Sequence, residues 1–119
     1  MKNMKRSGLL LISVLCLVFC GASVAFSHPP KEISLLWKPE GVLSVKVAHL
    51  VDNPEKHYVF RIIVYVNDKI TAEREYKSQQ SAEALTDSFS LGALPSGTNI
   101  KVEARCIIMG SAVSSIVVP

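Results

Sequence analysis

The chain has 119 residues, which is enough for one small domain. Its formal net charge of +3 comes from Lys2, Lys5 and Arg6, because the remaining ten Lys and Arg residues are balanced by ten Asp and Glu residues. A neutral surface excludes the concentrated basic patch that binding to nucleic-acid phosphates requires. We therefore expect no nucleic-acid partner.

The first 27 residues have the organisation of a secretory signal peptide. A basic start precedes an apolar run over residues 8–20, which is shorter than the ~20 residues that a membrane span needs, and residues 25–27 (Ala-Phe-Ser) form a cleavage pattern. We predict a signal peptide over residues 1–27 and a periplasmic or secreted domain over residues 28–119. Retention of the leader as a membrane anchor is the alternative, and after cleavage we expect no stable membrane span.

Cleavage after Ser27 would remove two of the three cysteines. Cys16 and Cys20 lie in the apolar run, so Cys106 would remain alone and no disulfide could form within the domain. A single thiol in an oxidising compartment is expected to be buried, paired between chains or bound to a metal.

Alternating apolar and polar residues, interrupted by turn signals, predict an all-β domain. Asn67-Asp68 is a signal for a tight hairpin. Seven short strands in about 90 residues are typical of an immunoglobulin-like β-sandwich. The predicted strands are residues 32–37, 42–50, 57–66, 69–77, 85–91, 99–108 and 112–118.

Three histidines and Cys106 are predicted at one end of this sandwich. His28 precedes the first strand, His49 ends the second, His57 begins the third, and Cys106 lies towards the end of the sixth. Because successive antiparallel strands reverse direction, these positions share one end. Imidazole binds Fe, Cu, Zn and Ni, and thiolate prefers softer or more oxidised metals, so the group predicts a metal site. The alternative is that the histidines are solvated loop residues and Cys106 is a small core residue.

Alternation along the strands predicts which of these side chains point into the sandwich. His49 and Cys106 have the inward parity of their strands, whereas His57 shares the outward parity of Arg61 unless a β-bulge turns it. Ile108 continues the inward set of the sixth strand. Cys106 precedes Gly110 by about 13 Å of extended strand, so we expect the site to dip into the sandwich.

The segments around the two central histidines resemble a known family. Residues 45–49 (VKVAH), 54–59 (PEKHYV) and 62–68 (IIVYVND) are similar to the ferrous-iron domain of desulfoferrodoxin and superoxide reductase. The resemblance implies an immunoglobulin-like fold. It also implies iron held by four equatorial histidines and one axial cysteine, with a sixth position open to superoxide.

The resemblance carries over to individual residues of this chain. It implies that His28, His49, His57 and Cys106 are iron ligands, and it places Met109 where the Cys-x-x-His-Gly motif of the family has its fourth histidine. The spacing of eight between His49 and His57 is about two residues longer than in the family. The Glu-Lys pair that precedes the first histidine in the family is absent before His28.

Three functions follow as hypotheses. The first is a superoxide reductase-like iron protein of the cell envelope, with Met109 or water as a further ligand and superoxide or another small molecule as its substrate. Its electrons would come from a separate donor protein. The second is copper binding, in which the amino group and imidazole of an N-terminal His28 chelate Cu(II) and His49 or His57 completes the site. The third is a non-catalytic, degenerate sandwich that binds a protein partner through its strand edges.

Overall fold

The computed structural model describes residues 29–119, which form seven strands. The predicted signal peptide, residues 1–27, and His28 lie outside the described residues. Within residues 29–119 no helix has the length and apolar character needed to cross a membrane. The strands are β1 (Glu32–Lys38), β2 (Val42–Ala48), β3 (Val59–Val66), β4 (Lys69–Glu75), β5 (Ala84–Ser90), β6 (Asn99–Cys106) and β7 (Ser111–Val117).

The strands make two antiparallel sheets, in the orders β1-β2-β5 and β4-β3-β6-β7. The predicted seven-stranded sandwich is confirmed, and each predicted strand boundary lies within two residues of the observed one. The tight hairpin between β3 and β4 is also confirmed, because Asn67 and Asp68 both have positive φ angles, 47° and 66°.

The core lies between the two sheets and follows the period of two that the sequence shows. In β2 the inward residues Leu43, Val45 and Val47 are buried, while Lys46 is exposed. The hydrophobic cluster consists of Ile33, Leu43, Val45, Val47, Val59, Ile62, Val64, Leu85, Phe89, Ile100, Val102, Ala104 and Val118.

A bulge at the start of β3 reverses the parity of that strand. Val59 pairs with Cys106 of β6, and the register then shifts between Val59 and Arg61. Val59 and Ile62 are both fully buried although they are an odd number of residues apart. His57 therefore shares the inward parity of Val59. The outward placement that simple alternation gives to His57 is wrong, and the conditional expectation of a bulge is confirmed.

The sixth strand is shorter than predicted. It ends at Cys106, whose amide N–H donates to the carbonyl oxygen of Gly110 at 3.0 Å, and Gly110 has a φ of +86°. The chain thus turns back directly after Cys106. Ile108 is 54% exposed rather than inward. The extended path of about 13 Å to Gly110 is therefore wrong, and Cys106 lies at the end of its strand.

A polar cluster bridges the β4 and β5 edges of the two sheets. Asp87 Oδ2 accepts hydrogen bonds from Arg74 Nη1 and from the Tyr76 hydroxyl, each at 2.6 Å, and the Arg74 guanidinium lies 4.5 Å from the centre of the Phe89 ring. Burial alone would raise the pKa of the Asp87 carboxyl, but hydrogen bonds from Tyr76 and Arg74 outweigh burial and hold that pKa below its usual value. Burial, reinforced by the bond to Asp87, raises the pKa of Tyr76. The cluster ties together two edges that share no strand pairing.

Candidate metal centre

Three of the predicted ligands meet at one end of the sandwich. One nitrogen from each of His49 and His57 and the sulfur of Cys106 all lie within 4.8 Å of one another. His49 directly follows β2 of the three-stranded sheet, whereas His57 precedes β3 and Cys106 ends β6 of the four-stranded sheet. The group therefore joins the two sheets across the end of the core.

The loop between the histidines is organised by Asn53. Its carbonyl oxygen accepts hydrogen bonds from the amides of Lys56 and His57, at 3.1 and 2.9 Å, and its side-chain Oδ1 accepts one from the amide of Glu55 at 3.0 Å. This self-bonded turn is typical of Asn followed by Pro. It brings His57 to the start of β3.

Cys106 is fixed by backbone contacts around the following turn. The Ile107 amide donates to the carbonyl oxygen of Tyr58 at 3.0 Å, and the Ile108 amide donates to Cys106 Sγ at 3.4 Å. Cys106 is 5% exposed. An N–H donor directed at a buried sulfur suits a thiolate that carries negative charge as a metal ligand.

The distance between His57 and Cys106 fits binding to a common metal ion. His57 Nε2 lies 3.1 Å from Cys106 Sγ, and the two imidazole rings meet edge to face, with centroids 4.8 Å apart and an interplanar angle of 86°. A nitrogen and a sulfur bound at right angles to one ion, at ~2.1 and ~2.3 Å, would themselves be separated by about 3.1 Å. Two imidazoles and one thiolate form a donor set that iron, copper and zinc all accept.

Gln79 is part of the site although no sequence signal pointed to it. This residue lies between β4 and β5, is only 5% exposed, and places its Oε1 at 2.5 Å from Nδ1 of His49. It stands in a polar stretch, residues 77–81 (KSQQS), where neither spacing nor composition distinguishes it from Gln80. Only the fold reveals which of the two glutamines turns inward.

The other two predicted ligands are Met109 and His28. Met109 lies in the turn after β6 and is 58% exposed, so its role as a ligand stays a prediction. His28 lies outside the described residues, and its role also stays a prediction. Its chain neighbour Pro29 packs against Gly110, so that an added Cβ on Gly110 would meet Pro29 Cβ at 2.4 Å. The chain thus enters the domain beside the turn that carries Met109.

Comparison with solved structures relates the fold to superoxide reductases. An oxidised superoxide reductase has a TM-score of 0.52 at 14% identity, over 82% of this chain and 94% of the other. A hypothetical protein from Pyrococcus horikoshii OT3 has a TM-score of 0.51 at 16% identity, over 77% and 88%. A superoxide reductase (neelaredoxin) from Ignicoccus hospitalis has a TM-score of 0.49 at 18% identity, over 77% and 81%.

Sequence-based comparisons gave no match. No model of a protein family matches the chain, and a search of curated proteins found no match either. At these identities the structural neighbours establish a shared β-sandwich fold. They do not establish the chemistry of this chain, which depends on its own residues.

Proposed function

We propose that this chain is a divergent superoxide reductase-like iron protein of the cell envelope. The observation that carries the proposal is the meeting of His49, His57 and Cys106 at one end of a sandwich with the superoxide reductase fold. The sequence resemblance also supports it, because it places His49, His57 and Cys106 at the positions of iron ligands. The predicted signal peptide over residues 1–27 supports a periplasmic or secreted location.

His49, His57 and Cys106 would hold the iron, with His28 and either Met109 or water as further ligands. Bound ferrous iron would supply the single electron that reduces superoxide, and two protons complete the hydrogen peroxide product. The part of this chain is to present the buried Cys106 sulfur, whose thiolate donates electron density to the metal, and to hold both imidazoles beside it. A separate protein would return the electron.

The proposal is tested with protein loaded with ferrous iron under anaerobic conditions. Addition of superoxide should oxidise the iron and yield one hydrogen peroxide per iron without dioxygen, and a thiolate-to-iron absorption band should appear. Cys106→Ser should abolish the band, whereas Ile107→Ser, a control at the exposed neighbouring residue, should keep it. Superoxide decay no faster than with metal-free protein would contradict the proposal. Protein that takes up neither Fe, Cu, Zn nor Ni would favour a non-catalytic sandwich.

Copper is a second candidate metal for the same group. Two histidines and one cysteine, with a methionine three residues after the cysteine, form a donor set that copper favours, whereas a thioether is a weak ligand for ferrous iron. The amino group of His28, if processing exposes it, would add a further copper ligand.

Adding one residue at the N-terminus distinguishes the copper hypothesis from the iron hypothesis. A glycine placed before His28 would move the free amino group away from the imidazole. Copper affinity should then fall sharply if the amino group is a ligand, while an iron site built on imidazoles should hardly change. Equal copper affinity of both forms would contradict chelation by the N-terminus.

A further inference from the structure

Gln79 uses every hydrogen-bonding position of its side-chain amide within the site. Oε1 accepts from the Val59 amide at 2.9 Å and lies 2.5 Å from His49 Nδ1. Nε2 donates to the carbonyl oxygens of His49 and Ser81, at 3.1 and 3.2 Å. The Gln79 main-chain amide donates to the carbonyl oxygen of Pro54 at 3.0 Å. A glutamine amide has two acceptor and two donor positions, so its capacity is filled.

This network fixes the orientation of the amide. The Val59 amide can only donate, and the carbonyl oxygens of His49 and Ser81 can only accept. A flipped amide would set a donor against a donor and an acceptor against two acceptors, in a place where Gln79 is only 5% exposed. Oε1 is therefore the atom that faces His49.

The orientation of Gln79 in turn determines the tautomer of His49. Because Oε1 accepts only, Nδ1 of His49 must carry the hydrogen, and in a neutral imidazole the lone pair then lies on Nε2. His49 is 1% exposed, so water does not compete for the ring. Gln79 also links the two sheets. It contacts His49, which follows the three-stranded sheet, and it bonds to Val59 and Pro54, which lie on either side of His57 in the chain.

We infer that Gln79 is a positioning residue that locks His49 as the Nδ1–H tautomer and so makes Nε2 the nitrogen that binds metal. The inference rests on the metal site of the proposed function, and it deepens that function by naming the group that orients one ligand. Such outer partners of metal-bound histidines typically change metal affinity by ~10–100-fold when they are removed.

The first test reads the tautomer without any metal. Long-range ¹H–¹⁵N correlation spectra of the metal-free protein, at a pH well above the ordinary imidazole pKa of ~6.5, report which nitrogen of His49 carries the hydrogen. The expected result is Nδ1–H in the wild type and a mixture, or Nε2–H, in Gln79→Met. Nε2–H in the wild type would overturn the inference.

The second test measures cobalt(II) affinity through the thiolate-to-cobalt band, in competition with a chelator. Gln79→Met should weaken binding by ~10–100-fold. Gln79→Glu keeps an acceptor towards Nδ1 but loses both donors, so it should be destabilised like Gln79→Met yet retain most of the affinity. Gln80→Met, which removes two bonds to Thr86 at an exposed position, should bind cobalt like the wild type.

The outcomes separate this inference from the metal proposal. Equal loss of affinity in the Met and Glu variants, or no loss in the Met variant, would overturn the positioning role. If Gln79→Met fails to fold, the wild-type tautomer and the Glu variant decide the question. Wild-type protein with the Nδ1–H tautomer that binds neither cobalt nor iron would overturn the metal proposal while supporting the tautomer lock.

Discussion

Replacement of Gly110 by alanine tests whether the N-terminal entry of the chain belongs to the metal site. Gly110 has a φ of +86°, and its added Cβ would lie 2.4 Å from Pro29 Cβ and 3.2 Å from Pro29 Cα. Gly97 offers a matched control, because its φ is +87° and an added Cβ there meets no atom within 4 Å. Gly97 precedes β6, whereas Cys106 ends it, so the control lies at the opposite end of the sandwich.

Both substitutions place an alanine in a left-handed backbone conformation, but only Gly110→Ala also brings the new Cβ against Pro29. A left-handed backbone costs an alanine roughly 1–2 kcal/mol at either position. At Gly110 the two carbons must also separate to the ordinary contact distance of ~3.5 Å, so exposed Pro29 has to move by about 1 Å. That movement exceeds the ~0.5 Å within which ligands of a functional site are usually held. Because Pro29 directly follows His28, the movement should affect metal binding more than stability.

The assay combines urea unfolding with cobalt(II) titration of both variants. We expect Gly97→Ala to lose about 1–2 kcal/mol of unfolding free energy, and Gly110→Ala to lose at least as much because Pro29 must also move. Metal affinity should fall by about tenfold in Gly110→Ala, as for other supporting contacts of metal ligands, and remain unchanged in Gly97→Ala. Equal metal affinity in the two variants would refute the argument that the segment entering at Pro29 supplies a ligand.

Two further predictions concern stability. Asp87→Asn should lower the unfolding free energy at neutral pH by about 1 kcal/mol, because it weakens the hydrogen bonds from Arg74 and Tyr76. Folding lowers the pKa of Asp87, so the stability difference between the wild type and Asp87→Asn should disappear as the pH falls below ~4. A difference in unfolding free energy that stays constant through the acid range would contradict this expectation. Leu43→Ala, at a fully buried position, should cost ~2–5 kcal/mol in urea unfolding, whereas Leu36→Ala, 61% exposed, should cost less than ~0.5 kcal/mol; equal losses would mean that the core is wrongly assigned.

The sequence could predict the fold, and it could predict which end of the sandwich holds the site. Both depend on local patterns. Alternation in β2 and the Asn67-Asp68 turn are encoded by adjacent residues, and strand reversals then assign each ligand to an end. The inward placement of His57 could not be predicted from the sequence. Its parity depends on a bulge between Val59 and Arg61, which no residue type in that stretch specifies.

Gln79 and the turn after Cys106 show where sequence reasoning ends. Burial of Gln79 depends mainly on hydrogen-bond partners that lie 20–30 positions earlier in the chain. Gln80, beside it, has the same side chain but is exposed. The apolar residues Ile107 and Ile108 extend the strand pattern, yet the positive φ of Gly110 and the bond from Cys106 to its carbonyl oxygen end the strand earlier. Such long-range contacts and turn geometries override local alternation.

X-ray absorption of the metal-loaded protein tests most directly whether His49, His57 and Cys106 bind a single ion. The account predicts one thiolate sulfur at ~2.3 Å and at least two imidazole nitrogens at ~2.1 Å, with the sulfur shell lost in Cys106→Ser. A wild-type spectrum that fits nitrogen and oxygen neighbours alone would contradict the account.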